Sequence, residues 1–333
     1  MTHTPLAAPA VQAACAIPPS PARRVLRALA VVSCVPYLAL KVSWIAGGRL
    51  GIPDGSFLLA HSDTMALVNA GTVLMDTCVI VLALLLTQAW GRRVPAPVLT
   101  LPMWAATGLL APIMTAFPVQ LAVKVFTGGG PAPAGSAPFL DEWVFGVVYG
   151  GFLVQGAALG ALFVLYARER WGHLWQGAVR GLAPQSVVVR ATAVVTAVLA
   201  ALVAVPHAVR AAGAGAGLAV GGGENGTGVL SLDERIVDGV HASFALLLAV
   251  SLLVLALRLG GGLPLRVPLA GAWAASAALG CWGGWQLFGI ALMGDDGMRP
   301  ITALTLTYAV QMITGFLALG GGTAFFLRRR HTA

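Results

Sequence analysis

Eight runs of apolar residues divide the chain, at 25–47, 65–90, 97–123, 143–167, 187–210, 237–259, 267–293 and 303–327. A helix rises about 1.5 Å per residue, so about 20 apolar residues cross the hydrocarbon of a bilayer, and each run is long enough to do so. The pattern predicts an all-α polytopic membrane protein with about eight transmembrane helices. Pro102, Pro112 and Pro118 interrupt the third run, so its helix is expected to be kinked or broken. Residues 1–24, rich in Pro and Ala, have no apolar core and read as a disordered cytoplasmic tail. The run that follows lacks a small-residue cleavage site and reads as an uncleaved signal anchor. Between runs, Thr127–Pro138 and Ala211–Gly228 are Gly-rich and are expected to be flexible.

Composition agrees with that pattern: 58% of residues are hydrophobic and 10% charged, with a mean hydropathy of +0.86. A net charge of +8 could suggest nucleic acid, but the arginines lie in short blocks between apolar runs rather than on one soluble face. Their placement instead orients the chain. Arg23, Arg24 and Arg27, Arg92 and Arg93, Arg168, Arg170 and Arg180, Arg258 and Arg266, and Arg328 to Arg330 all fall on one side of an eight-span arrangement. The positive-inside rule makes that side cytoplasmic, with both termini inside. Among the acids only Asp76 and Glu169 depart from the opposite side. Heavy Ala, Gly and Arg usage suggests a high-GC bacterial genome, hence a bacterial plasma membrane.

The two halves resemble each other. Arg93-Val-Pro95 followed by Trp104-Ala-Ala-Thr-Gly-Leu recurs loosely as Arg266-Val-Pro268 followed by Trp273-Ala-Ala-Ser-Ala-Ala, and Ala30-Val-Val-Ser33 recurs as Ala193-Val-Val-Thr196. The stretch from Tyr149 to Arg168 likewise matches Tyr308 to Arg328. A four-plus-four duplication in parallel orientation follows, with halves at 25–170 and 187–330 joined by a cytoplasmic linker at 171–186. In such an arrangement a site lies between the halves, around an axis along the membrane normal.

The candidate chemistry is sparse. Lys41 sits in the first run, where a cation needs a partner or a wet cavity, with Pro36 before it and Gly47, Gly48 and Gly51 after it to let the backbone leave the helix. Asp76 is the one acid deep in a span, roughly 15 Å from its outer end at about 1.5 Å per residue. A protonated acid in an apolar cavity is a proton donor. Asp54, Asp63, Asp141, Glu142 and the Asp295-Asp296 pair lie at the outer rim, with Trp44, Trp143, Trp282 and Trp285 at similar depth. Interfacial acids and tryptophans are ordinary there, but together they could line a pocket that holds a cation against aromatic faces. His207 and His241 fall at the outer ends of the fifth and sixth runs without metal-ligand spacing. Cys15, Cys34, Cys78 and Cys281 show no paired spacing, and neither Gly-x-Ser-x-Gly nor a phosphate-cradling Gly-Lys-Ser/Thr occurs.

A small all-helical membrane protein with acids at its helix ends, Asp76 within a span and many aromatics resembles, in architecture, the membrane-bound terpene cyclases of bacterial and fungal prenylated natural-product pathways. The resemblance implies an acid that protonates an alkene or epoxide and aromatic groups that stabilise the cation. Asp295-Asp-Gly-Met-Arg299 lacks the third aspartate of Asp-Asp-x-x-Asp, so proton-initiated rather than metal-assisted chemistry is expected, without a cofactor or metal. The resulting expectation is an intramembrane enzyme acting on a lipophilic, isoprenoid-type substrate. Asp76 or Glu142 would be the proton donor, Lys41 would set the local field, and Trp44, Trp143, Trp285, Asp54 and Asp63 would line the site. Its partners are membrane lipids and that substrate, with no nucleic acid. A multi-pass permease for a small or lipophilic compound is the alternative, and a scaffold without a pocket is the third reading.

Overall fold

The computed structural model describes residues 20–60, 62–127, 140–214, 230–292 and 302–332. The expectations for residues 1–19, for most of the two Gly-rich connections and for Glu224 and the Asp295-Asp296 pair lie outside the described residues.

Every apolar run forms a helix. The first run is α1 (Pro21–Val32) and α2 (Cys34–Ile45). It starts earlier than expected: Ser20 caps it and Pro21 occupies the first helical turn, where a missing N–H costs nothing, so Pro21 to Arg24 are helical rather than part of a tail. The break at Ser33 has its cause three residues on, because Pro36 has no N–H to offer the carbonyl of Val32. After the short α3 (Phe57–Ala60) come α4 (Ser62–Thr87), α5 (Ala96–Thr127) and α6 (Glu142–Trp171). The second group is α7 (Val187–Ala211), α8 (Leu232–Leu257), α9 (Arg266–Leu292) and α10 (Thr302–Thr332). No strand occurs among the described residues. Of the kink or break expected in the third run, the break is absent, since α5 is one helix through Pro102, Pro112 and Pro118. Interior prolines are tolerated in spanning helices whose neighbours re-satisfy the freed carbonyls.

With α1 and α2 taken as one segment, seven helices are long and apolar enough to cross a membrane. The long helix outside that set is α9, whose middle is Ala, Gly, Ser and Trp rather than Leu and Val. It packs against α5, α8 and α10, and residues Ala275 to Gly280 are all buried. Small residues let backbones approach: a Cβ on Gly315 of α10 would collide with the backbone of Gly280, and one on Gly283 with that of Met312.

The long helices form two rings. In the first, α1 and α2 touch α4 and α6, and α5 closes the ring on the other side against the same two. In the second, α7 touches α8 and α10, and α9 does the same from the opposite side. The rings meet chiefly through α5 and α9. There the two Trp-Ala-Ala-Thr/Ser segments face each other reciprocally: Trp104 Nε1 donates to Ser276 Oγ at 3.1 Å, and Trp273 Nε1 donates to Thr107 Oγ1 at 3.3 Å. Gly108 makes the approach possible, because a Cβ there would strike the carbonyl oxygen of Ala277.

At the arginine-rich end, Arg23 and Arg92 both pair with Glu169, joining the first helix, the turn at Ala89–Arg93 and the end of α6. Tyr166 donates to the carbonyl of Gly91 at 3.0 Å and Arg170 to that of Val94 at 2.9 Å. The segment 171–186 is held by backbone bonds from Val179 to Leu263 and from Arg180 to Gly261, over a small core of Val179, Leu182, Leu255 and Leu265.

Candidate functional site

Among the described residues, buried polar side chains gather into one cluster in each ring. In the first, Lys41 of α2 donates to Asn69 Oδ1 at 2.8 Å, and its ammonium lies 5.0 Å from the centre of the Tyr37 ring and 4.8 Å from that of Trp44. Asn69, Thr72 and Asp76 share one face of α4 at helical spacing. Asp76 is 4% exposed and accepts from Gln155 Nε2 of α6 at 3.2 Å, while Gln155 is 1% exposed. Asp76 Oδ2 and Gln155 Oε1 are both buried without a hydrogen-bond partner.

The turn above Lys41 is tightly built. Trp44 Nε1 donates to the carbonyl of Leu50 at 2.8 Å, and the N–H of Asp141 donates to that of Gly51 at 3.0 Å. Gly51 has φ +74° and sits against Val144 and Trp143, so a side chain there is excluded both by conformation and by space.

The second ring holds a chain of charged and polar groups. Arg210 Nε of α7 donates to Asp238 Oδ2 of α8 at 2.8 Å, and His207 Nδ1 is 2.7 Å from Asp238 Oδ1. His207 Nε2 is 2.9 Å from Gln311 Oε1 of α10. All four residues are buried. The His241 ring stacks on His207 with centroids 5.2 Å apart, and its Nδ1 donates to the carbonyl of Val237 at 2.9 Å. A carbonyl only accepts, so Nδ1 carries the hydrogen and the neutral ring keeps a lone pair on Nε2.

Between the rings lies a cavity of ≈ 80 Å³, lined by Phe117 and Gln120 of α5, Tyr149 of α6, Val237 and His241 of α8, and Trp282 of α9, among others. Aromatic contacts connect it to both polar groups. Trp282 meets His241 at 5.6 Å on one side; on the other, Phe117 meets Tyr149 at 5.1 Å, Tyr149 meets Phe152 at 6.2 Å, and Phe152 meets Tyr37 at 5.0 Å. Tyr37 is the ring beneath Lys41.

Of the residues singled out in the sequence, the structure joins Lys41 to Trp44 directly and places Asp76 on the α4 face that Lys41 reaches through Asn69. The others are dispersed. Glu142 is exposed in the first turn of α6, Trp143 covers Gly51, and Asp54 is exposed in a turn. Asp63 lies in the first turn of α4, and Trp285 packs on Phe288 at 5.8 Å. Only Trp282 among the four rim tryptophans lines the cavity. Sequence reasoning placed His207, and His241 near Asp238, at helix ends that a hairpin could bring close, and their rings do stack; it missed Arg210 and the chain that Arg210, Asp238 and His207 form. A signal was present: Arg210 follows His207 by three residues at the end of a span where the orientation rule leaves few cations. Comparison with family models, with curated proteins and with solved structures finds no match to this chain.

Proposed function

We propose that the protein is a multi-pass permease of a bacterial plasma membrane, moving a small, largely apolar and uncharged solute along the seam between two related halves. The observation that carries this reading is the cavity between the rings, walled by Phe117, Tyr149 and Trp282 and touched by no carboxylate or ammonium group among its lining residues. Such walls suit a flat or apolar molecule, held by stacking and oriented by Gln120 and His241. At ≈ 80 Å³ the cavity admits only a small fragment in this conformation, so passage of a larger solute requires the rings to separate.

Three features support the duplicated, eight-span arrangement with both termini inside. The reciprocal Trp-to-hydroxyl bonds are the isologous contact that a two-fold axis produces, with residue i of one copy meeting residue j of the other and the reverse. Each ring places a cation on its first span, an acid on its second and a glutamine on its fourth: Lys41, Asp76 and Gln155, then Arg210, Asp238 and Gln311. The arginines that pair with Glu169 gather at one end of the bundle, as the orientation rule requires of a cytoplasmic face. Parallel repeats around such an axis are a transporter architecture, with the site at the repeat interface.

The unpartnered Oδ2 of Asp76 favours a second reading, an intramembrane enzyme that starts an isoprenoid-type cyclisation by protonation from Asp76. One experiment separates the two. Lipophilic extracts of cells and medium are profiled by mass spectrometry for the wild type, Asp76→Asn and Trp282→Ala, with prenylated precursors supplied. The permease reading predicts an unchanged set of compounds whose distribution between cells and medium shifts with wild-type expression, and a loss of that shift in Trp282→Ala. A new product isomeric with a precursor, present with the wild type and absent with Asp76→Asn, would overturn it in favour of the enzyme.

A further inference from the structure

The two rings answer their buried aspartates differently. In the second, Asp238 is bonded on both oxygens, by Arg210 and by His207, and the amide oxygen of Gln311 faces the other nitrogen of the same imidazole. In the first, Asp76 is bonded on one oxygen only, by Gln155, and the remaining oxygen of each residue is buried and unpartnered. Two buried acceptor oxygens, one of them on a carboxylic side chain, are thus left without a donor on residues of α4 and α6 that are bonded to each other. Buried acceptors left in this way carry a full desolvation penalty, which a positive centre bonded to them removes.

Lys41 does not fill the role. Its ammonium is engaged with Asn69 Oδ1, seven residues along α4 from Asp76 and so about 10 Å away along the helix axis, and it makes no ion pair with Asp76 within 4.0 Å. It remains within electrostatic reach of Asp76, as do Cys34 and Tyr37 of α2, while Tyr149 of α6 neighbours Tyr37. The cations of α1 are Arg23, Arg24 and Arg27 near its start, and that of α5 is Lys124 near its far end.

We infer that Asp76 Oδ2 and Gln155 Oε1 form the binding site of a monovalent cation, a sodium ion or a proton, which takes the place that Arg210 and His207 fill permanently in the second ring. Both candidates present the same chemistry, a small positive centre that two oxygens can share. Resting on the permease reading, this cation is the coupling ion. Gln155 lies one helical turn from Phe152, whose contacts run to Tyr149 in the cavity wall, so occupation of the site reaches the solute path through packed side chains.

Ion binding to the folded state raises the temperature of unfolding, and that can be read without any solute. The full-length protein in lipid nanodiscs is unfolded by heating under intrinsic tryptophan fluorescence, with sodium chloride exchanged for choline chloride at constant ionic strength and pH. The same heating is then repeated over a pH series without sodium. A sodium site predicts a rise in unfolding temperature that saturates with sodium. A proton site predicts no sodium response and a pH dependence in sodium-free buffer. In either case Asp76→Asn abolishes the response and Gln155→Met shifts it at least several-fold in ion concentration. A wild type that responds to neither ion, or a response undiminished in Asp76→Asn, would overturn the inference. An Asp76-dependent response in a protein that moves no solute would retire the permease reading alone.

Discussion

Asp238 and Asp76 each lie on the second span of their ring, but only Asp238 meets a fixed cation, and this difference sets what each contributes to stability. Removing one partner of a buried pair leaves its charge poorly compensated, and since His207 still holds the other oxygen of Asp238, Arg210→Met is expected to destabilise the fold by about 3 kcal/mol, the low end for a broken buried pair. The double variant Arg210→Met with Asp238→Leu removes both charges and should recover much of that loss in denaturant unfolding. A double variant as unstable as the single one would show that the pair is not the source of the effect. Lys41 and Asp76 were legible in the sequence because each interrupts an apolar run. Asn69 was not noticed, being an uncharged residue of ordinary appearance. Asp238 falls near a helix end, where acids are commonplace, and its burial there goes with Arg210 from a neighbouring helix.

At the level of the elements, hydropathy located every long helix, while their interruptions followed different rules. A single proline, Pro36, coincides with the turn that divides the first span, whereas the three prolines of α5 leave one continuous helix. Proline removes a donor in both places, and the outcome depends on neighbours that the local sequence does not specify. The helix α9 is the reverse case, long yet outside the set apolar enough to span, its middle being Ala, Gly, Ser and Trp. Its contact with α10 yields a test against intrinsic propensity. Alanine favours a helix over glycine by about 1 kcal/mol, yet a Cβ on Gly315 would collide with Gly280. Gly315→Ala is therefore expected to destabilise by about 1–3 kcal/mol through overpacking. Gly160→Ala, in open space on α6, should be neutral or stabilising. Equal thermal shifts for the two variants would contradict the close α9–α10 approach.

For the whole molecule, the repeated Trp-Ala-Ala-Thr/Ser segments were visible in the sequence as a loose match, whereas their meeting face to face was not. That contact depends on Gly108 bringing two backbones together across the seam. If the two bonds are equivalents about one axis, Trp104→Phe and Trp273→Phe should each cost a similar amount, about 0.6 kcal/mol for an interhelical bond within a membrane. Strongly unequal losses in unfolding would count against the symmetric seam. If this seam carries a solute path, the cavity wall is reached from each side of the membrane in turn, which side-selective labelling reads out. A single cysteine is placed at Ala116, a lining residue, in a protein whose native cysteines are replaced, and it is treated with a membrane-impermeant maleimide in right-side-out and in inverted vesicles. A solute path predicts reaction from both faces, because a permease exposes its site to each side in turn. Reaction from one face only, or from neither, would contradict it.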